Sequence, residues 1–205
     1  GEEITILDAQ QSGRVITMEN CDNNIISDLT VTGGLNEEYS VGGGMYLYSS
    51  NPTLTNVTIA NNTSLSAGGM GLFSSNPTLT NVTIANNTAN TGGGMYLGSS
   101  NPTLNHVTIA NNTADYGGGM RLNNSNPTLT NSIIWGNSPE SIYVFSGEPI
   151  ITYSDIQGGS VGEGNINSDP LFNDDYTLKE GSPCMDSGDP NLWFQDLDGT
   201  RADMG

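Results

Sequence analysis

A chain of 205 residues suits one domain, but a hydrophobic share of 34% with 27 glycines is too lean for a thick globular core, so a thin, repetitive one is expected. The balance of 22 acidic against 4 basic side chains, net −18, disfavours nucleic-acid phosphates and anionic membranes and leaves cationic or uncharged partners. No apolar run is long enough to span a bilayer and no signal-peptide pattern stands at Gly1, so the sequence reads as a processed chain or a piece of a longer precursor.

In chain order, Ile4-Thr5-Ile6-Leu7 reads as a strand in a partial coil, and Ile26-Ser27-Asp28-Leu29-Thr30-Val31 as the first full one. Then Asn51-Pro52-Thr53-Leu54 returns at Asn76, Asn101 and Asn126, each step 25 residues, together with Gly44-Met45-Tyr46-Leu47 and the segment from Asn56 to Thr63. The pattern continues, closer spaced, at Pro149 to Ile156. Within each copy apolar residues alternate with small or polar ones, the period of strands with one buried face, and Gly, Pro and Asn mark the turns. A copy is too short to bury its own apolar face, so copies must stack.

Parallel stacking at ~4.8 Å sets equivalent residues above one another. The expected architecture is all-β, a single right-handed parallel β-helix of about six coils with 22 to 25 residues per coil, occupying residues 1–160. An acidic, irregular segment, 161–205, packs on the solenoid as its cap. The inward columns are Met45, Met70, Met95, Met120; Leu47, Leu72, Leu97, Leu122; Leu54, Leu79, Leu104, Leu129; and Ile59, Ile84, Ile109, Ile134. Asn62, Asn87, Asn112 and Asn137 form a structural ladder at a turn, each amide bonding to the coils above and below.

Charge follows the same geometry. Eight acids lie in residues 1–40 and thirteen from Glu140 onward, with only Asp115 between. A charge at a repeat position would face its own copy in the next coil, where like charges repel.

Gly42-Gly43-Gly44-Met45 and Ile59-Ala60-Asn61-Asn62, with their later copies, resemble the Gly-Gly-Ala-aliphatic and Phe-x-x-Asn repeats of polymorphic outer-membrane adhesins, with Gly for Ala and Ile for Phe. The tail, through Asp169-Pro170-Leu171-Phe172, Gly181 to Pro190 and Asp196 to Gly205, is similar to the ending of bacterial secreted right-handed β-helix repeat proteins, which often carry an anchoring segment afterwards. The resemblance implies export and display: a secreted, extracellular or cell-surface protein.

Chemistry is sparse. Lyase-type proton abstraction wants a basic side chain beside a carboxylate-bound metal, and Arg14, Arg121, Lys179 and Arg201 are scattered. Hydrolysis wants two facing carboxylates; the middle coils offer Asp115 alone, and Asp174-Asp175 is the best foothold. His106 stands where other copies have Asn56 and Asn81, and reads as a repeat variant. Asp196 and Asp198, before the turn-forming Gly199, resemble part of a calcium loop, making Ca²⁺ the one cofactor suggested; a solvated acidic turn is the alternative. Cys21 and Cys184, one near each end, read as buried, reduced thiols, an intrachain or end-to-end bridge being the alternative.

The candidate binding surface has two parts. Thr53 with Thr55, Thr78 with Thr80, and Thr128 with Thr130 pair outward hydroxyls in a flat array resembling the Thr-x-Thr face of ice-binding solenoids, broken at Asn105. Outward Tyr46, Tyr48, Phe73 and Tyr96 suit stacking on sugars or packing on a neighbour, or form a scattered surface, since Gly71, Gly98, Arg121 and Asn123 interrupt both columns. Sequons such as Asn56-Val57-Thr58 follow from the repeat itself. The expected function is non-enzymatic: a structural or adhesive solenoid whose partner is itself, in a head-to-tail filament joined at open strand edges, or a surface glycan or protein. An ice-binding face and a polysaccharide lyase or hydrolase are the alternatives.

Overall fold

Asparagine, serine and glycine set the corners. Asn56, Asn81, His106 and Asn131 take φ of 54°, 53°, 51° and 51°, and Ser49, Ser74, Ser99 and Asn124 take 48° to 53°, a left-handed region that asparagine tolerates better than most side chains. Between these bends the alternating pattern extends the chain. The computed structural model, which describes residues 5–196 and 199–205 and only the backbone of 37–40, winds the strands into a parallel β-helix of about six turns.

One sheet runs through Thr5–Asp8, Asp22–Thr32, Asn51–Ala60, Thr78–Ala85, Thr103–Ala110, Thr128–Thr130 and Ile150–Thr152, with Ile133–Trp135 and Asp155–Ile156 continuing the last coils beyond the Asn131 bend. A second stacks Ile16–Glu19, Met45–Tyr48, Met70–Phe73, Met95–Gly98, Met120–Asn123 and Ile142–Val144. The third side pairs Leu35–Val41 with Thr63–Ser66 and continues as bridges from Thr63 to Thr88, Thr113 and Ser138. One coil exceeds the 22-to-25-residue spacing: Asn56 follows its partner Asp28 by 28 residues, because the register slips between Asn36 and Val41, where a bulge takes up the excess. Of the partial first coil, Ile4 lies outside the described residues and Thr5–Asp8 pairs with Leu29 to Thr32.

The methionine, leucine and isoleucine columns lie in register and are fully buried, each aliphatic side chain contributing ~1.5–3 kcal/mol. Where the coils approach backbone to backbone only glycine fits: a Cβ on Gly94 would stand 2.6 Å from the carbonyl oxygen of Gly119. At the buried corner Asn62, Asn87 and Asn112 each donate Nδ2 to the Oδ1 of the next rung at 3.0 Å, ending on Asn137. A second ladder runs beside it. The backbone N–H groups of Ser50, Ser75 and Ser100 each donate to the hydroxyl of the next coil's serine at 3.0 Å, ending on Ser125.

The tail does two things. Asn165 accepts the Ser154 N–H at 3.1 Å while Ile156 N–H donates to Ile166 O at 3.1 Å, which covers the edge of the last coil. The chain then turns back along the rod. Cys184 and Met204 pack on Ile133 with Trp135, Phe172 and Leu178 around them, and the Tyr176 hydroxyl donates to Asn86 at 3.0 Å and accepts from Asn111 at 3.1 Å.

Candidate functional site

Sheet register carries the threonines. Thr53, Thr78, Thr103 and Thr128 share one column, and Thr55, Thr80, Asn105 and Thr130 the next. Thr53 and Thr78 are exposed, the others half-buried. The face is bordered on one side, because Thr80 and Asn105 line a cleft with Trp193 and Phe194 of the tail.

The aromatic residues are not scattered. Gly98 leaves room for the Phe73 ring, which a Cβ there would meet at 3.0 Å, whereas a Cβ on Gly71 would stand 2.6 Å from Val41 Cγ1. Tyr46 and Phe73 lie 5.8 Å apart at 42°, and Phe73 and Tyr96 stack at 5.4 Å and 19°. Arg14 sits 4.5 Å above the Tyr46 ring, and Arg121 5.5 Å from Tyr96 and 5.8 Å from Tyr143. Burial lowers the pKa of Arg14 and raises that of Tyr46, the charge of each opposing the shift in the other. Cation and ring faces in this stack are turned to one another, so its role is chiefly to bind coil to coil. Tyr48 lies at the margin, 47% exposed.

Three carboxylates meet in the tail. Asp196 is joined by Asp186 and Asp203, whose carboxylate oxygens all lie within 4.8 Å of one another; Asp198 lies outside the described residues. Asp203 also accepts the Asp186 N–H at 2.7 Å. These are the hard oxygen donors that Ca²⁺ takes, though three carboxylates are short of the ~6–8 ligands it collects. His106 lies 3.2 Å from Asn131 Nδ2 and 6.0 Å from the Phe194 ring; burial lowers its pKa, while Asp196 and Asp203 pull it up. Two clefts of about 430 Å³ flank it, one with Trp193 and Gln195, the other with Tyr176, Asp203 and Met204.

The cysteines are free. Cys184 is fully buried and its Sγ donates to Asp155 Oδ2 at 3.2 Å. Burial pushes up both pKa values; the neighbouring carboxylate adds to the shift of the thiol, while bonds from Ser168 N–H and Cys184 oppose that of Asp155. Neither is poised as a nucleophile or base.

The sequence reading passed over the serine ladder, the Trp193 turn and the tail's seat at Ile133. The first was readable in Ser50, Ser75, Ser100 and Ser125, each one residue before an Asn-Pro; the last in an isoleucine occupying the outward slot of Thr58, Thr83 and Thr108.

In-register parallel coils around a single apolar core define a parallel β-helix repeat protein. The family described as right handed beta helix region matches residues 2–157, and the chain belongs to it. No curated protein and no solved structure matches the chain.

Proposed function

We propose that this is a non-catalytic β-solenoid, secreted or displayed at a cell surface, whose work is adhesion. The observation that carries the reading is the wall of the middle coils: in-register threonine columns, with Asp115 the one acid between Glu38 and Glu140. Such a wall offers contact area without like-charge repulsion between coils. Asp186, Asp196 and Asp203, by contrast, form a clump, whereas hydrolytic carboxylates face each other across a substrate ~5–9.5 Å apart. End-to-end association is the assembled form that fits the strand Thr5–Asp8, which among the described residues pairs on one side only and leaves Ile6 61% exposed.

Retention of the fluorescent whole chain on glycan-coated and protein-coated surfaces tests adhesion. Saturable retention without consumption of the glycan is expected. Sustained release of reducing ends or unsaturated products from a polysaccharide panel overturns the reading. Electron microscopy with and without calcium tests the filament, which monomers at high concentration would exclude. The threonine columns also favour an ice-binding reading, and thermal hysteresis decides it.

A further inference from the structure

The repeat breaks at one doublet on the threonine side. Thr55-Asn56, Thr80-Asn81 and Thr130-Asn131 become Asn105-His106 in a single coil, and that coil faces the tail's 3₁₀ turn, Leu192–Phe194. The turn is held from several directions. Asn191 N–H donates to Asp189 Oδ1 at 2.9 Å, Asn191 Oδ1 accepts the Trp193 N–H at 3.2 Å, and Phe194 N–H donates to Asn191 O at 2.9 Å. Asp189 N–H in turn donates to Asn131 Oδ1 at 2.6 Å on the solenoid, and Phe194 rests against His106.

This anchored turn leaves Trp193 90% exposed. Burying an indole is among the largest hydrophobic gains a side chain can make, so a braced tryptophan left in water is a surface prepared for an occupant. It lines a cleft of about 430 Å³ with Thr80, Asn105, His106, Gln195 and Asp196. The side-chain amides of Asn105 and Gln195 form no hydrogen bond to the described residues. An aromatic face beside amides that both donate and accept is what an uncharged sugar ring needs, with one apolar C–H side and a rim of hydroxyls. Asp196, its partners Asp186 and Asp203, and the net charge of −18 exclude a polyanionic chain.

We propose that this cleft binds a neutral pyranose of a glycan, its C–H face on Trp193 and its hydroxyls on Asn105 and Gln195. The inference rests on the adhesive reading and names the partner.

Calorimetric titration of the whole chain with cellohexaose, laminarihexaose, mannohexaose and chitohexaose, and with hexagalacturonate as the charged comparator, tests it. At least one neutral hexasaccharide is expected to bind, weakened at least ~10-fold by Trp193→Ala, a change equivalent to ~1.4 kcal/mol. Asn105→Thr, which restores the residue of the other coils and so keeps the fold, is expected to weaken the same sugar several-fold without moving the thermal midpoint. Unchanged binding in Trp193→Ala, tighter binding of hexagalacturonate, or no binding of any neutral probe at millimolar concentration each overturns the proposal. Surface retention that survives Trp193→Ala leaves the adhesive reading standing without this site; absence of retention in the parent chain removes both.

Discussion

Asn112 is the rung at which the corner ladder is most cleanly cut. Its Oδ1 accepts from the backbone N–H of Asn87 at 2.9 Å and from Asn87 Nδ2 at 3.0 Å. Its own Nδ2 donates to Ile84 O at 2.9 Å and to Asn137 Oδ1 at 3.0 Å. Asn87, Asn112 and Ile84 are all 0% exposed, so Asn112→Ala strands groups that water cannot reach. Each orphaned buried group costs ~1–3 kcal/mol. The backbone N–H of Asn87 loses its acceptor outright, while Asn87 Nδ2 keeps Ile59 O at 2.9 Å. A full cost for the first and a partial one for the second give a loss of ~2–4 kcal/mol. Urea unfolding followed by circular dichroism measures it, with Thr88→Ala as the exposed control, expected within ~0.5 kcal/mol of the parent. A loss below ~1 kcal/mol for Asn112→Ala would refute the claim that the ladder closes this corner.

Three further outcomes follow from named contacts. Gly94→Ala drives a Cβ to 2.6 Å from Gly119 O and 3.0 Å from Asn112 Nδ2, so it is expected to cost ~1–3 kcal/mol or more through overpacking; an unchanged thermal midpoint would contradict it. With Ellman's reagent, half-buried Cys21 is expected to react in the native chain and Cys184 only on unfolding; equal prompt reaction of both would be inconsistent with the buried thiol. Asp155 titrates with an unusual sign. Its carboxyl pKa is raised by burial above the ordinary aspartate value of 3.8, so the native state favours the protonated form. The stability it contributes is therefore fully present below pH 3.8 and is lost as pH rises through the folded-state pKa. Relative to Asp155→Asn, the parent tail is expected to gain protease resistance as pH falls from neutrality, and parallel pH profiles would count against this.

What could be read from the sequence was what repeats. The 25-residue step puts Leu54 over Leu79 and Met70 over Met95, because a parallel sheet has one register that keeps the apolar face inside. The asparagine corner was readable for the same reason, as a polar residue returning in phase beside a bend. The site was harder to see. The spacing of Asp186, Asp196 and Asp203 follows no period, and their meeting depends on a tail with little secondary structure after Asp155–Ile156. Trp193 presented the same difficulty, because a single exposed aromatic in an irregular stretch carries no positional signal until the turn is folded against His106.

In a stacked repeat, departures from the pattern therefore say more than the pattern does. Some are matched between coils: Gly98 interrupts an aromatic column, yet Phe73 fills the space it leaves, and Val41 of the preceding coil fills that at Gly71. Others find their match outside the coils. Ile133 takes a threonine slot and is buried by Cys184 and Met204 of the tail, so its partner is a segment of this same chain. Of the Asn105-His106 departure, His106 meets Phe194, while the amide of Asn105 finds no hydrogen-bond partner among the described residues. A polar side chain that breaks the repeat and faces a cleft without a partner is best explained by something the chain does not itself supply.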